Sequence, residues 1–293
     1  MNNFIFNIYR IIVPKPIRTK LLKKRLRIQI TEYLESLPEN ELDSERQSVL
    51  DYIKNNEVTT FPYDFTKNYS PSSVKVYTDK EKRLKYVIQD GHKLYFKKRW
   101  SESRIKRSYS QLLLEQDEKS PHRYLNDDFN VNDLDIVADF GTAEGNFALS
   151  IVEKVKHLYL FERDKQWIEA LHETFKPWRD KVTIVQKYVS NLDDDKHCKG
   201  DSFFENKEIT FLKIDVDGAE TVLLEGLNNI LKRPNPIKVA LCTYHQNDDE
   251  KFFRELLKQF DFNITTSDGF MIFYYDKKMK SPFIRRGLIR AWK

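Results

Sequence analysis

The chain has 293 residues, 40% hydrophobic and 13% aromatic, which is enough to bury a core and excludes a disordered protein. No apolar run reaches the length of about 18 residues that a membrane-spanning helix needs, and Arg10, Pro14 and Lys15 interrupt the hydrophobic N-terminus. We therefore expect neither a spanning helix nor a cleaved secretion signal, and the cytoplasm is the expected location. Cys198 and Cys242 form neither a disulfide framework nor a zinc-ligand pattern.

The net charge of +5 conceals an uneven distribution along the chain. Residues 1–30 carry eight Lys and Arg and no acid, and residues 277–293 carry seven and no acid, which leaves residues 31–276 with a net charge of −10. A nucleic-acid groove needs positive charge beside its functional site. The distribution therefore disfavours nucleic acid as the partner of the central region.

The basic N-terminal region predicts an amphipathic helix over residues 4–34, interrupted at Pro14 and Pro16. Two interpretations stay open: a helix lying on the anionic inner face of a membrane, or a solvated basic face whose other side packs on the body. Residues 283–292 combine apolar and basic side chains in the same way. We treat residues 277–293 as a basic C-terminal tail and a second candidate for membrane contact.

Residues 1–120 predict an α+β extension in front of the main domain. A helix is expected from Asp43 to Asn55, and the Asp90-Gly91 pair between two alternating segments indicates a β-hairpin. Ser101 is a suitable N-cap for a helix that continues to about residue 118, before Pro121.

Residues 121–276 show a regular alternation of strand and helix patterns, which is typical of a parallel sheet with helices on both faces. The predicted strands are residues 135–140, 157–162, 182–187, 209–214, 237–243, 262–266 and 270–275. Residues 267–269 are too short for a parallel crossover, so the last two strands are expected to form an antiparallel hairpin. The fold class is therefore α/β, with a mostly parallel, Rossmann-like sheet.

A glycine-containing turn, Asp139-Phe-Gly-Thr-Ala-Glu-Gly145, follows the first of these strands. Ligands of open α/β sheets lie beyond the carboxyl ends of the strands, where glycine lets the backbone approach them. The turn resembles both a methyltransferase loop and a nicotinamide fingerprint, but the Glu144 carboxylate would repel a pyrophosphate and suits a sulfonium cation. The residues expected to contact an adenosyl cofactor here are Asp139, Gly141, Thr142, Ala143, Glu144, Gly145 and Asn146.

Two further positions fit an adenosyl cofactor. Glu162 ends the second strand about 20 residues after the turn, where an acid accepts hydrogen bonds from ribose hydroxyls in NAD and S-adenosylmethionine sites alike. Val189, after the third strand, is placed to contact the adenine ring. Asp215, at the end of the fourth strand, is a further candidate facing a cationic donor.

The segment Leu212-Lys-Ile-Asp-Val-Asp-Gly-Ala-Glu220 matches the K-I-D-x-x-G-x-E signature of one family, and with it residues 120–275 resemble the FkbM family of S-adenosylmethionine-dependent methyltransferases. The sequence has no [D/N]-P-P-[Y/F] element of the kind found in amine-directed enzymes. The resemblance implies a class I methyltransferase fold, S-adenosylmethionine as methyl donor and a hydroxyl acceptor, often on a sugar. Ala143, Glu144 and Asp217 depart from the residues common in the family, which leaves the fine specificity open.

The candidates for chemistry lie after the fourth and fifth strands and before the first. His245 is a candidate general base, and Asp215 orients it or the acceptor. Four residues are expected to contact the substrate: His122, Arg123, Asp217 and Tyr244. Asp215, Asp217 and His245 are also the candidate ligands of a divalent ion, although this ligand set is incomplete and disfavours a metal.

These observations together predict an O-directed methyltransferase of polysaccharide biosynthesis, acting on a cell-surface glycan or its lipid- or nucleotide-linked precursor. Three alternatives stay open. They are a nicotinamide-dependent oxidoreductase, a nucleic-acid methyltransferase that uses the basic ends, and a non-catalytic glycan-binding protein of the same fold.

Overall fold

The computed structural model describes residues 14–276 and 278–293, so the predicted start of the N-terminal helix, residues 4–13, lies outside the described residues. Helix α1 (Lys15–Glu35) and helix α2 (Ser44–Asn55) come first. Asp43 caps α2 by accepting a hydrogen bond of 2.8 Å from the main-chain N–H of Arg46. The two helices pack through one buried cluster that contains Leu26, Ile30, Leu34, Val49, Leu50 and Ile53.

A small antiparallel sheet follows, made of β1 (Tyr77–Asp79), β2 (Leu84–Gln89) and β3 (His92–Phe96). The predicted hairpin is confirmed: Gln89 pairs with His92 across a two-residue turn. Asp90 and Gly91 both adopt positive φ, 50° and 83°, as a type I′ turn requires.

Helix α3 (Glu102–Glu115) begins after Ser101, whose side chain accepts from the N–H of Arg104, and it ends slightly before its predicted limit. The extension and the main domain share one core, since Phe96 and Ile105 belong to the same buried cluster as Trp167 and Leu171. Among the described residues, no helix is long and apolar enough to cross a membrane.

The main domain is built on seven strands, β4 (Ile136–Phe140), β5 (His157–Phe161), β6 (Val182–Val185), β9 (Phe211–Ile214), β10 (Lys238–Cys242), β11 (Asn263–Thr266) and β12 (Leu288–Trp292). Their order across the sheet is β11-β12-β10-β9-β4-β5-β6. The five adjacent strands β6, β5, β4, β9 and β10 pair in parallel. Strand β12 runs antiparallel to both of its neighbours, β10 and β11. The predicted mostly parallel α/β sheet is confirmed.

Short helices cover the sheet between the strands. They are α4 (Asn146–Ile151), α5 (Lys165–Thr174), α6 (Gly200–Phe203), α7 (Glu220–Glu225), α8 (Asn228–Lys232) and α9 (Asp249–Lys258). A separate pair, β7 (Tyr188–Val189) and β8 (His197–Cys198), follows β6. Single 3₁₀ turns occupy Asp64–Asn68, Pro71–Ser73, Val152–Lys154 and Lys176–Trp178.

The C-terminal segment differs from its prediction. The antiparallel partner of β11 is β12, so the predicted strand at residues 270–275 is wrong. Phe270 and Ile272 instead pack into the cluster of α1 and α2, and only Met271 forms a bridge, to Arg285. Residues 277–293 are therefore not a separate basic tail, because their last strand lies inside the main sheet, and the main domain continues past residue 276.

Candidate functional site

The glycine turn brings the end of β4 against the end of β9. Gly141 has a φ of 77°, and a Cβ atom there would lie 2.0 Å from the main-chain oxygen of Asp215. Only glycine allows this approach. Gly145, with a φ of 82°, ends the turn against side chains of α5, and Ala143 also adopts a positive φ of 49°. The turn thus leaves backbone atoms facing the space beyond the strands.

Beneath this turn lies a buried ion pair. The Nζ atom of Lys213 is 2.9 Å from Oδ1 of Asp139 and donates to the carbonyl of Gly141 at 3.1 Å. Burial raises the pKa of Asp139, an effect that Lys213 opposes. Burial lowers the pKa of Lys213, but Asp139 and Asp215 outweigh it and the pKa is raised. Asp139, predicted to contact a cofactor, therefore faces Lys213 rather than the cleft.

A cleft of about 630 Å³ opens above the turn, at the carboxyl ends of β4, β5 and β9. Most of the residues that the sequence assigned to an adenosyl cofactor line it, namely Gly141, Thr142, Ala143, Glu144, Asn146, Glu162, Val189 and Asp215. Two of the predicted substrate residues, Asp217 and Tyr244, also line it. Asp217 is exposed.

Glu162 is held in place by the backbone around it. Its Oε2 atom accepts from the N–H of Ala143 at 3.0 Å, and its Oε1 atom accepts from the N–H groups of Arg163 and Asp164, each at 2.7 Å. These bonds fix the carboxylate at the end of β5, and Oε2, which accepts only one of them, keeps acceptor capacity for a ligand hydroxyl.

Two further carboxyl groups line the cleft, Glu115 from α3 and Glu144 from the turn. Burial, with Glu115 and Asp139 nearby, raises the pKa of Glu144 to about 8 although its own backbone N–H and Lys213 oppose the rise. Burial likewise raises the pKa of Glu115. The sequence argument treated Glu144 as an anion, whereas burial favours the neutral form of this carboxyl.

Asp215 is the centre of a polar cluster on the cleft wall. Its carboxylate accepts hydrogen bonds from the hydroxyls of Tyr124 at 2.8 Å and Tyr244 at 3.3 Å. The Nε2 atoms of His122 and His245 lie 3.4 and 3.8 Å from it. Burial opposes ionisation of Asp215, but the hydrogen bond from His122 and the charges of Lys213, His122 and His245 outweigh burial, so its pKa lies well below the usual range.

His245 lies behind Asp215 and does not line the cleft. Its Nδ1 atom is 3.0 Å from Oε1 of Glu220, which also accepts from the N–H groups of Val216 and Gly218. Burial lowers the pKa of His245, but Glu220 and Asp215 outweigh it and the pKa is raised. Glu220, the last residue of the signature segment, is thus the residue that orients this imidazole.

Two ligand sets in the described residues have the spacing of a metal site: His122, Asp215 and Cys242, and Asp215, Glu220 and His245. Asp217, a predicted ligand, belongs to neither set. The oxygens of Asp215 accept two tyrosine hydroxyls, and Glu220 accepts two backbone N–H groups. Both carboxylates are therefore held by donors of the protein, and a divalent ion would compete with these hydrogen bonds.

The other two predicted substrate residues, His122 and Arg123, lie in different places. His122 is buried against Asp215, whereas Arg123 lines a second cleft of about 730 Å³. The two clefts share a wall made of Leu112, Gln116 and Asn146. Arg123 is therefore placed beside the first cleft rather than in it.

Arginines of the C-terminal segment bind the backbone of residues in the Asp215 cluster, a role that the sequence did not predict. Arg285 donates to the carbonyls of Tyr244 at 2.8 Å and His245 at 2.7 Å. Arg290 donates to the carbonyls of Tyr124 at 3.1 Å and Arg123 at 2.6 Å. Tyr124, also missed, follows His122 and Arg123 directly in the sequence.

The strand order, with an antiparallel strand inserted next to β10, and the glycine turn beside a cleft define a class I methyltransferase fold. Residues 120–264 match the model of the methyltransferase FkbM domain, and this part of the chain belongs to that family. Membership implies S-adenosylmethionine as the methyl donor. No protein with a curated description matches the sequence.

Solved methyltransferases resemble the chain at low identity. The FkbM methyltransferase of Methylobacillus flagellatus KT is 14% identical, with a TM-score of 0.46, over 65% of this chain; the chain spans only 54% of that protein's length. An rRNA methylase of Streptococcus thermophilus is 12% identical, with a TM-score of 0.37, over 56% of this chain and 88% of its own. Trm5b of Pyrococcus abyssi is 13% identical, with a TM-score of 0.40, over 72% of this chain and 55% of its own.

Proposed function

We propose that the protein transfers a methyl group from S-adenosylmethionine to a hydroxyl group of a saccharide, as part of a cell-surface glycan or its lipid- or nucleotide-linked precursor. The single observation that carries this proposal is the Asp215 carboxylate on the cleft wall, which accepts hydrogen bonds from two tyrosine hydroxyls and lies beside two histidines. A fixed carboxylate at this place suits an acceptor that must be oriented through O–H and must lose a proton.

The residues of the cleft fit the donor. Glu162 offers its Oε2 atom to a ribose hydroxyl, Val189 offers an apolar contact to the adenine, and the turn at Gly141 lets the backbone approach. Glu115 and Glu144 face the cationic part, and a nearby positive charge favours their ionised forms. The bound donor supplies an electrophilic methyl group on a sulfonium sulfur.

Asp215 has two tasks in this proposal. It accepts a hydrogen bond from the acceptor hydroxyl and so points an oxygen lone pair at the methyl carbon. As the C–O bond forms the hydroxyl becomes strongly acidic, and its proton passes to Asp215 while the sulfur recovers the electron pair of the broken C–S bond. Because the proton leaves only after the C–O bond has begun to form, a carboxylate with a low pKa is a strong enough base. A positioned general base raises the reaction rate by roughly 10²- to 10⁴-fold. His245 then acts as a positioning residue behind Asp215.

The second cleft supports a saccharide as the acceptor. Tyr69 and Tyr109 contribute aromatic surface to it, and Arg123 and Asn130 contribute hydrogen-bond donors. Sugars combine apolar ring faces with hydroxyl edges, so a wall of this mixed composition suits them. The second cleft adjoins the first cleft, which holds the methyl donor in this proposal. An extended glycan therefore has room to continue away from the methylated hydroxyl.

Two measurements test the proposal. Calorimetric titration with S-adenosylmethionine, its demethylated product and NAD⁺ is expected to show binding of the first two alone; binding of NAD⁺ alone would favour the oxidoreductase. Radiolabelled methyl transfer is then measured on oligosaccharides, nucleotide sugars, glycolipid precursors and tRNA. Label on tRNA, or donor binding without transfer to any saccharide, contradicts the proposed acceptor. Asp215→Asn should bind donor without turnover, whereas Asp180→Asn, at an exposed carboxylate, should be active.

A further inference from the structure

Helix α1 has two apolar faces, and among residues 14–276 and 278–293, which the structure describes, only one of these faces is covered. Leu26, Ile30 and Leu34 are buried against α2. On the opposite side of the helix, Ile17 and Leu21 are each 51% exposed and Ile28 is 52% exposed. With a rotation of about 100° per residue, these three side chains form one stripe. We call Ile17, Leu21 and Ile28 the outer stripe.

Positive charge surrounds the outer stripe. From Lys15 to Ile30 the helix has seven Lys and Arg and no acid. Lys20 and Lys24 project on one side of the outer stripe and Arg25 on the other, and all three are exposed. Lys and Arg side chains in such places can extend their charged ends to polar groups while their methylene stems lie along an apolar surface.

We propose that α1 docks the protein on an anionic lipid bilayer, with the outer stripe inserted below the phosphates and the flanking bases on the headgroups. The helix is about 30 Å long, and none of the described helices can cross a membrane, so it lies in the plane of the surface. Each base near an anionic surface, and the burial of each aliphatic side chain, adds to the affinity.

The composition of this face favours a bilayer over two other occupants. The phosphates of a nucleic acid would pair with the Lys and Arg side chains. Aliphatic side chains, however, do not stack on nucleobases as aromatic ones do, so the outer stripe would stay in water. A second copy of the chain would cover the outer stripe but would bring the same positive charges against Lys20, Lys24 and Arg25. A bilayer of anionic lipids satisfies both features at once.

The experiment is flotation of the full chain with vesicles of phosphatidylcholine, alone and mixed with phosphatidylglycerol, at low and at high salt. We expect binding to the anionic vesicles that weakens as salt rises. Leu21→Ser with Ile28→Ser should lower the partition coefficient by at least about tenfold, through the lost apolar burial. Lys20→Gln and Lys24→Gln should each lower it by about fivefold. Leu134→Ser, at a leucine 74% exposed in the main domain, is the matched control and should bind as the unchanged protein does.

Circular dichroism checks that each variant is folded. The proposal is overturned if the unchanged protein does not float with anionic vesicles, or if it floats equally with neutral ones. It is also overturned if the Leu21 and Ile28 substitutions leave binding intact. Binding to tRNA that the Lys20 and Lys24 substitutions weaken, without vesicle binding, would assign the face to nucleic acid. A dimer that they convert to a monomer, without vesicle binding, would assign it to a second copy.

Discussion

The guanidinium of Arg285 donates a hydrogen bond of 2.7 Å to the main-chain carbonyl of His245, and the Arg285 side chain is only 2% exposed. The same group pairs with Asp276 and donates to the carbonyl of Tyr244. The segment before β12 therefore fixes the loop after β10, from which Tyr244 reaches Asp215.

Replacing Arg285 should loosen that loop. In Arg285→Gln, buried carbonyls lose their donor and Asp276 loses its partner, so we expect the free energy of unfolding to fall by about 2–4 kcal/mol. Methyl transfer should fall while donor affinity changes little. Urea unfolding and calorimetry measure both. The matched control is Arg286→Gln, which removes the ion pair with Glu45 on the extension and should leave turnover nearly intact. Equal losses of turnover in both variants would contradict a local role for Arg285.

The pair of Glu220 and His245 makes a prediction about pH. The pKa of His245 is raised in the folded protein. Protonation of His245 therefore adds its full contribution to the free energy of unfolding below pH 6.5, and this contribution is lost as the pH rises through the raised pKa. Glu220→Gln keeps the shape of the side chain but removes the charge, so the pKa of His245 should fall and the pH-dependent stability should shrink. NMR titration of the His245 imidazole measures the pKa, and urea unfolding at several pH values measures the stability. An unchanged titration would show that Glu220 does not set the state of His245.

Glu144 makes binding of the methyl donor depend on pH. Burial, with Glu115 and Asp139 nearby, raises the pKa of Glu144 from 4.5 to about 8, so its neutral form is favoured and stability falls as pH rises between these values. A sulfonium cation favours the anion, so donor affinity should increase with pH up to about 8, by at most about tenfold per unit. The demethylated product lacks that charge and should show a smaller slope.

The check is calorimetry with donor and product at several pH values, in two buffers of different ionisation enthalpy. Glu144→Gln should abolish the slope for the donor and the proton release that accompanies binding. Identical slopes for donor and product in the unchanged protein would exclude Glu144 as the group that senses the sulfonium.

The sequence was sufficient for the features that depend on local order. Six strands, β4, β5, β6, β9, β10 and β11, were predicted close to their bounds because each is a short apolar segment between turn residues, whereas the two-residue strands β7 and β8 were not predicted. Gly141 and Glu162 line the cleft as expected, because a cleft in an open α/β sheet follows the strand ends.

What the sequence did not predict depends on contacts between distant segments. Strand β12 was missed because Arg290 resembles a solvated charge until the carbonyls of Arg123 and Tyr124, far away in the chain, satisfy it. His245 was predicted to face the methyl donor, but Asp215 stands between it and the cleft. The spacing of residues along the chain does not show which of two neighbouring side chains lines the cleft and which lies behind it.

The buried pair of Lys213 and Asp139 should be among the most sensitive positions for stability. The two side chains are 5% and 1% exposed. Removing one member of a buried pair leaves the other unpaired in a medium that solvates charge poorly, so Lys213→Met should lower the free energy of unfolding by about 3–5 kcal/mol. Asp139→Asn should cost less, because burial already favours the neutral form of that carboxyl. The double variant should recover part of the loss, since two neutral side chains leave no unpaired charge. Urea unfolding of the four proteins forms a double-mutant cycle, and strictly additive losses would contradict the pairing.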